Sequence, residues 1–587
     1  MFNNGVCHAT LLYGRYAFRV RENQYDLFCR GVLRLRQKST PYHSQSLRSY
    51  LDILGGVLFI RLRTGTGTTS ARLETEGHRY EMILSASNGK CRYFHLVLAQ
   101  GMLGSYSFAL LKKGKYVRYG HFPEPRIEPI RPAWVPSSVF YQIFPDRFNR
   151  AASSTDGGRK LSEWFDRPAT HSFFGGNLKG IEDKLAYLQS LGATAVYSTP
   201  VFAAATNHRY DTSDYAHVDP LLGKDEDIHA LVRGLHRFNM RFIGDAVFNH
   251  TGTGFAEFTR FLKGDSNWYI AHSGPELFSG RYSMNRYASA KPSYETWEGV
   301  GTLPKLNLAL PEVRNHLIGV LSYWTGTAGF DGWRFDVGES LPLEFISAMR
   351  DRLRRLRNDA YMLGEVWRDP SLWLLPGLYD GTMNYVFRKG IIDFAAGKIS
   401  GRQLSIRLGN FCNRQPASGL LCQYNLLGSH DTPRIASLLV NRGRIEMAHA
   451  LLFALPGAPS IYYGDEFMLR GVDSIEARGT IDWSRKPELA SLFASLSTLR
   501  AERPALTLGD AFFSGGSSHF AVRRLVPGGE VSFICSTEPY AHTLDAGESV
   551  ILSGRATVRH GKVCLGRYGW AFLSRDIISR GIPGQDV

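Results

Sequence analysis

The sequence predicts a β/α barrel held between two all-β domains. Apolar, strand-length runs recur through the middle of the chain, and each delivers polar or charged residues at the same end. That end is where a β/α barrel keeps its chemistry. On both flanks the pattern changes to short strands separated by glycine and polar residues, the rhythm of a β-sandwich. At 587 residues the chain exceeds one ordinary domain, and 44% apolar residues supply enough material for several cores.

Residues 1–130 make the N-terminal unit, with GVLFIRLRT (56–64), RYFHLVLA (92–99) and YSFALL (106–111) as its clearest strands. The proline-rich EPRIEPIRPAWVP (124–136) is a stiff linker. Residues 131–505 make the barrel. SVFYQIFP (138–145) opens it, FFGGNLKGI (173–181) leads into the first helix, and ATAVYSTP (193–200) is the second strand. MRFIGDAVFNH (240–250) is the third and ends in Asp245, Asn249 and His250. An excursion over about 250–305 has no clean period, and so long a loop in a compact domain is usually functional.

The rest of the chain is organised around DGWRFDVGES (331–340). After an Asp-Gly turn, Trp333, Phe335 and Val337 alternate with Arg334 and Asp336, a period-two strand with a charged pair on one face that breaks at Gly338. Charge in an apolar strand is tolerated only when paired or put to use. AYMLGEVW (360–367) ends in Glu365 and Trp367, QYNLLGSHD (423–431) in His430 and Asp431, and PSIYYGDE (459–466) in Asp465 and Glu466. Between them, Phe345, Ile346, Met349, Leu353 and Leu356 recur at helical spacing around RDRLRRLR (350–357), an outer barrel helix with a solvated basic face. A helical stretch at 487–499 closes the barrel. Residues 506–587 return to short strands, HFAVRRL (519–525), EVSFICS (530–536) and YGWAFLSR (568–575), as a C-terminal β domain.

Composition narrows the classes further. The net charge of +16 is scattered, with local runs such as RLRQK (34–38), and no nucleic-acid recognition motif accompanies it, so no nucleic acid is expected as a partner. Cys7, Cys29, Cys91, Cys412, Cys422, Cys535 and Cys564 are spread out, odd in number and without metal-type spacing, which reads as reduced, buried thiols and no metal centre. The N-terminus lacks a basic start followed by a long apolar segment, and the apolar run at 53–60 is too short to span a bilayer. The expectation is a cytoplasmic protein with no membrane partner.

DAVFNH (245–250), GWRFDV (332–337), EVW (365–367) and SHD (429–431), in that order and spacing, resemble the alpha-amylase family of glycoside hydrolases. Within it, YQIFPDRF (141–148), NHRYDTSDY (207–215) and YETWEGVGTLPKLN (294–307) resemble the subfamily of cyclomaltodextrinases, neopullulanases and maltogenic amylases. The resemblance covers about 135–485 and implies a (β/α)8 TIM barrel flanked by N-terminal and C-terminal all-β sandwich domains; the flanks match by position and strand pattern only. It implies a retaining α-glucan hydrolase that cleaves α-1,4 bonds in cyclodextrins, pullulan and maltodextrins through a covalent glycosyl-enzyme intermediate. The same barrel also hosts transglycosylases and branching-type transferases, in which a sugar hydroxyl instead of water takes the glycosyl group. Non-catalytic glucan-binding relatives typically lose a catalytic carboxylate, and this chain has all three. The implied partner is an α-glucan oligosaccharide. The N-terminal domain of the subfamily often forms a homodimer that covers the partner's active site; the alternative is a domain that only packs.

The resemblance assigns Asp336 as nucleophile, Glu365 as acid/base and Asp431 as the third carboxylate, which grips hydroxyls of the distorted sugar ring. The residues themselves agree with that division. Arg334 lies two positions before Asp336 on the same strand face and favours its charged form, whereas apolar Val366 and Trp367 beside Glu365 suit it to hold a proton. His250 and His430 match histidines that bond the same sugar. His208 and Tyr210 match a histidine contact and the aromatic platform under the ring, and Asp245 matches a support for Arg334. Trp367 is a further substrate contact, and Asp473 and Arg478 in GVDSIEARGTIDW (471–483), a segment that also departs from the subfamily, are candidates to hold the next sugar. Trp268, Tyr269 and Trp297 are candidates either for stacking on sugar faces or for packing within the excursion.

Two departures stand out. After the nucleophile the subfamily usually reads Val-Ala-Asn-Glu, but here the chain has Val337, Gly338, Glu339 and Ser340, which puts acceptor preference in doubt. DRFNRAASSTDGG (146–158) lacks the Asn/Asp-rich calcium pattern of many relatives, and Asn177 stands where those have Asp. Calcium needs several oxygen ligands with adequate negative charge, so its usual site looks degraded and no cofactor is expected.

Overall fold

Eight short parallel strands form the centre of the molecule: β1 (Phe140–Ile143), β2 (Ala195–Ser198), β3 (Arg241–Ala246), β4 (Gly332–Phe335), β5 (Tyr361–Gly364), β6 (Gly381–Thr382), β7 (Tyr424–Asn425) and β8 (Ala458–Tyr462). Their order is β6-β5-β4-β3-β2-β1-β8-β7, and a parallel bridge between Met383 and Tyr424 joins the two ends into a barrel. The computed structural model describes residues 41–87, 89–151, 158–272 and 293–575, and the backbone of two N-terminal strands, Thr10–Tyr13 and Tyr16–Arg19. Cys7, Cys29, the 34–38 basic run, the centre of the 250–305 excursion and residues 152–157 of the first-strand loop lie outside the described residues.

The barrel strands are apolar on both faces because both are covered. Phe140, Ala195, Tyr197, Ile243, Tyr361, Leu363, Met383 and Tyr424 pack together in one cluster, while Tyr141, Val196, Phe242, Trp333, Phe335, Met362 and Ile461 pack in another with the helices. The helix Leu343–Leu356 buries Phe345, Ile346, Met349 and Leu353, as its spacing predicts. Its basic face is not all solvated. Arg350 and Arg354 both bond Asp380, at 2.6 and 2.9 Å, and Arg357 bonds Asp331 at 2.6 Å. Both aspartates stand immediately before barrel strands and are fully buried, so the arginines neutralise charge at the N-terminal end of the barrel.

Two four-stranded antiparallel sheets precede the barrel, ordered Leu51–Leu54, Val57–Gly65, Cys91–Ala99, Ile83–Ser87 and Lys115–Phe122, Tyr106–Lys112, Thr68–Thr75, His78–Glu81. Val57–Gly65 is buried throughout, and its alternation shows why. Leu58, Ile60 and Leu62 fill the core between the two sheets, whereas Val57 and Phe59 pack with Val135, Phe140 and Tyr361 of the barrel. After the barrel comes a six-stranded antiparallel sheet that includes Asp510–Gly515, His519–Val526, Gly529–Ser536 and Lys562–Arg575, with Glu548–Arg559 paired onto it. Cys412, Cys422 and Cys535 are buried thiols whose ionisation burial opposes. Among the described residues no helix is long and apolar enough to cross a membrane.

Candidate active site

Strand register builds the site. Asp245 on β3 lies opposite Arg334 on β4, and Phe335 lies opposite Gly364 on β5, so Asp245, Arg334, Asp336 and Glu365 emerge together from three adjacent strand ends. The fully buried Arg334 joins them. Its Nη1 donates to Asp245 Oδ1 at 3.0 Å and to Asp336 Oδ1 at 2.7 Å, and its Nη2 lies 2.8 Å from Glu365 Oε2. Three carboxylates on one guanidinium leave an excess of negative charge. Burial, reinforced by Glu365 and Asp245 and opposed by Arg334, therefore pushes the Asp336 carboxyl well above the usual range. The expectation that Arg334 keeps Asp336 in its charged form needs correcting, because its one charge is shared with Asp245 and Glu365 and burial outweighs it.

Glu365 also differs from the sequence expectation. Its Oε2 accepts the Val337 backbone N–H at 2.8 Å, and its Oε1 accepts the indole N–H of Trp367 at 3.0 Å. Trp367 thus presents its polar edge to the carboxylate. Its ring stacks on Tyr385, with centroids 3.7 Å apart and planes at 8°, and stays 46% exposed, which leaves an aromatic face for a ligand.

A second chain of bonds reaches Asp431. Gln142 Nε2 donates to His430 Nδ1 at 2.7 Å, which makes Nε2 the donor nitrogen of that ring. His430 Nε2 lies 2.6 Å from the Tyr210 hydroxyl and 2.9 Å from Asp431 Oδ2. The Tyr210 hydroxyl donates onward to Asp245 at 2.9 Å, beside the Tyr197 hydroxyl at 2.6 Å. Burial disfavours the charged form of Asp431, but His430 and Arg478 outweigh it and hold this carboxyl below the ordinary range. Asp431 is therefore held as an anion, and its side chain is 30% exposed.

Two imidazoles stay neutral. His250 is held down to about 3 by burial, and its buried Nε2 has no hydrogen-bond partner although it lies 4.0 Å from Asp336 Oδ2. A buried donor with nothing to bond beside a carboxylate is an open ligand contact. His208 is also held at about 3, by burial and then by Arg478; its Nδ1 accepts the Tyr210 N–H at 3.1 Å, which orients the Tyr210 ring.

The structure brings together Asp336, Glu365, Asp431, His208, Tyr210, Asp245, His250, Arg334, Trp367, His430 and Arg478. Arg478 donates to His430 O at 2.9 Å and reaches Asp431 Oδ1 at 3.4 Å. Asp473 does not join them. Its Oδ1 accepts the N–H groups of Ile475 and Glu476, both at 2.9 Å, and so caps the turn that carries Arg478. Of the excursion aromatics, Tyr269 is buried and bonds Thr251, and Trp268 packs on His316; Trp297 faces His250, with ring centroids 5.8 Å apart. Tyr197, Gln142 and Tyr385 were not singled out from the sequence. Tyr197 and Gln142 sit mid-strand among apolar residues, and only such a misplaced polar group hints at them.

Asn177 caps a short helix by accepting the Gly180 N–H at 2.7 Å, and Asn149 Nδ2 donates to Gly180 O at 3.0 Å, so both amides are engaged in local structure. Among the described residues no group of three or more His, Cys, Asp or Glu could hold a metal ion.

Comparison with known proteins agrees with this geometry. The alpha-amylase catalytic-domain model matches residues 142–491. A cyclomaltodextrinase of Geobacillus thermopakistaniensis is 36% identical over 394 residues, 65% of this chain and 65% of that protein. Neopullulanase 2 of Thermoactinomyces vulgaris is 34% identical over 448 residues, 74% and 73% of the two chains. The solved structure of the type III pullulan hydrolase from Thermococcus kodakarensis superposes with a TM-score of 0.80 at 28% identity, covering 91% of this chain and 100% of that one. The carboxylates at adjacent strand ends, the closed barrel and these matches lead to one conclusion: the chain belongs to the alpha-amylase family of glycoside hydrolases.

Proposed function

We propose that the chain hydrolyses α-1,4 bonds of cyclodextrins, pullulan and maltodextrins with retention of configuration. The observation that carries this reading is the pair Asp336 and Glu365, both bonded to the Arg334 guanidinium. A double displacement needs its two carboxyl groups close, ~5–5.5 Å apart, and one guanidinium bridging both favours that spacing over the wider, inverting one. The names of the relatives supply the substrate class.

The residues have distinct work in this mechanism. Asp336 attacks the anomeric carbon while Glu365 gives a proton to the leaving oxygen, so the glycosidic bond breaks and an ester to Asp336 forms. Glu365 then takes a proton from water, whose oxygen bonds the anomeric carbon as the ester breaks. Asp431, His430, His250 and Arg478 hold ring hydroxyls, Tyr210 underlies the ring, and Trp367 offers its exposed face to the leaving-group sugar.

Product analysis on β-cyclodextrin, pullulan and soluble starch side by side tests the substrate class. Excess maltose added as acceptor separates hydrolysis from the transferase alternative, since a transferase lengthens the acceptor. A cytoplasmic location and a homodimer through the N-terminal domain are further parts of the proposal, checked by fractionation and by sedimentation.

A further inference from the structure

The loop after β4 is where this chain departs from its subfamily, and it folds directly onto Glu365. Val337 has φ 47° and ψ 38°, a left-handed conformation unfavourable for a β-branched residue. That conformation aims the Val337 N–H at Glu365 Oε2, 2.8 Å away. At Gly338 a Cβ would lie 2.9 Å from the Glu365 backbone N and 3.1 Å from the Tyr379 hydroxyl, so glycine lets the loop lie this close to Glu365. The Glu339 N–H donates to Glu365 O at 3.2 Å. The Glu339 carboxylate then accepts two bonds from Arg368, from Nε at 2.9 Å and Nη2 at 3.1 Å. Arg368 directly follows Trp367, whose indole bonds Glu365 Oε1 at 3.0 Å.

These bonds close a ring. Two of the three donors to the Glu365 carboxylate, Val337 N–H and Trp367 Nε1–H, lie on separate loops, and the Glu339–Arg368 fork ties those loops together. We infer that Glu339 and Arg368 are positioning residues, a clasp that keeps both donors on Glu365 and so fixes the aim of its carboxyl group in the two proton transfers. The inference rests on the acid/base role proposed for Glu365. With the clasp open, Val337 can relax out of its strained conformation and withdraw its N–H, and the carboxyl group loses its aim at the glycosidic oxygen. Bond cleavage with a poor leaving group, which needs the proton, suffers most; the departure of fluoride, which leaves without one, suffers little. The Arg368 side chain is 56% exposed and that of Glu339 19%, and an ion pair with one partner in solvent adds little to global stability, so kinetics read the clasp better than melting does.

The test compares Arg368→Ala, Glu339→Gln and the exchanged Glu339→Arg/Arg368→Glu on β-cyclodextrin and on α-maltosyl fluoride, with Tm measured alongside. The clasp predicts that each single variant loses about tenfold in kcat on β-cyclodextrin, short of the ~10²-fold that a full misplacement costs, with KM within about twofold. It predicts near-normal release of fluoride in the first turnover, an unchanged Tm and recovery of most kcat in the exchanged pair. Arg368→Lys, which keeps the charge but loses the fork, should fall between Arg368→Ala and wild type. A raised KM at unchanged kcat would make the pair a substrate contact and overturn the clasp, as would equal loss on both substrates or unaffected single variants. If the exchanged pair does not fold, Arg368→Lys decides, and a kcat no better than that of Arg368→Ala overturns the inference. A wild-type protein inert on both substrates overturns the functional reading and the inference with it, whereas active wild type with unaffected variants removes the clasp alone.

Discussion

Arg334 reaches Glu365 Oε2 at 2.8 Å with the guanidinium that also holds Asp336 at 2.7 Å. One buried cation therefore ties together the two groups that the mechanism sends in opposite directions, one to attack and one to protonate. Lysine cannot reproduce this, because a point charge on a flexible stem cannot bridge three carboxylates with fixed geometry. Arg334→Lys should lower kcat/KM by at least about 10²-fold, the scale of a lost positioning or electrostatic contact. It should also destabilise the fold, though by less than the ~3–5 kcal/mol of removing a buried partner outright, because the charge is kept. Steady-state kinetics and a urea titration read the two effects, and a kinetic loss under about tenfold would contradict the bridging role.

Glu365 is expected to act as acid and then base. Glu365→Ala should keep far more activity on an activated fluoride or aryl glycoside than on a maltodextrin, because only a poor leaving group needs the proton. Added azide should partly rescue it and yield the α-glycosyl azide, since the anion attacks a β-linked ester on Asp336. Finding the β-azide would exchange the roles of the two carboxylates.

Glu466, at the end of β8, should make stability pH-dependent. It is fully buried, its Oε1 accepts the hydroxyls of Tyr141 and Tyr187 at 2.6 and 3.1 Å, and burial pushes its carboxyl from 4.5 up to about 7. A group whose folded pKa is raised gives stability that is complete below the unfolded pKa and is lost as pH rises through the folded one. The window is therefore about pH 4.5 to 7, and the full swing is roughly 3 kcal/mol for a shift of that size. Glu466→Gln has no proton to lose, so its Tm relative to wild type should climb across that window. A flat difference between the two proteins from acid to mildly alkaline pH would rule this out.

Much of the candidate site was legible because barrel strands are short and apolar and end in polar or charged residues. Asp245, Arg334, Asp336, Glu365, His430 and Asp431 all stand out as charge or imidazole closing an apolar run. β6 did not, because it is only Gly381–Thr382, too short for any periodicity, and it is held by neighbours on both sides. The sharing of Arg334 with Glu365 also lay beyond the sequence, since it depends on the register of β4 against β5 and not on spacing along either strand. Asp473 misled for the opposite reason. A carboxylate beside an arginine in a loop reads as a ligand contact, yet a short acidic side chain is equally suited to cap the backbone two or three residues on.

Calcium should be dispensable for activity. Asn177 uses its side-chain oxygen to accept the Gly180 N–H, and neither Asn149 nor Asn177 brings the negative charge that calcium favours. Dialysis against a chelator, followed by assay and a melting curve, should leave both unchanged. A large loss of either that added calcium restores would overturn this expectation.

Asp336 is expected to carry the glycosyl group. The direct measurement is to incubate Glu365→Gln with α-maltosyl fluoride, quench in acid, digest, and weigh the peptides. Fluoride leaves without an acid catalyst, and the missing base slows release, so the ester should accumulate. A maltosyl mass increment is expected on the peptide that contains Asp336. An increment on the peptide that contains Asp431 or on the one that carries the substitution, or rapid fluoride release with no labelled peptide, would contradict it.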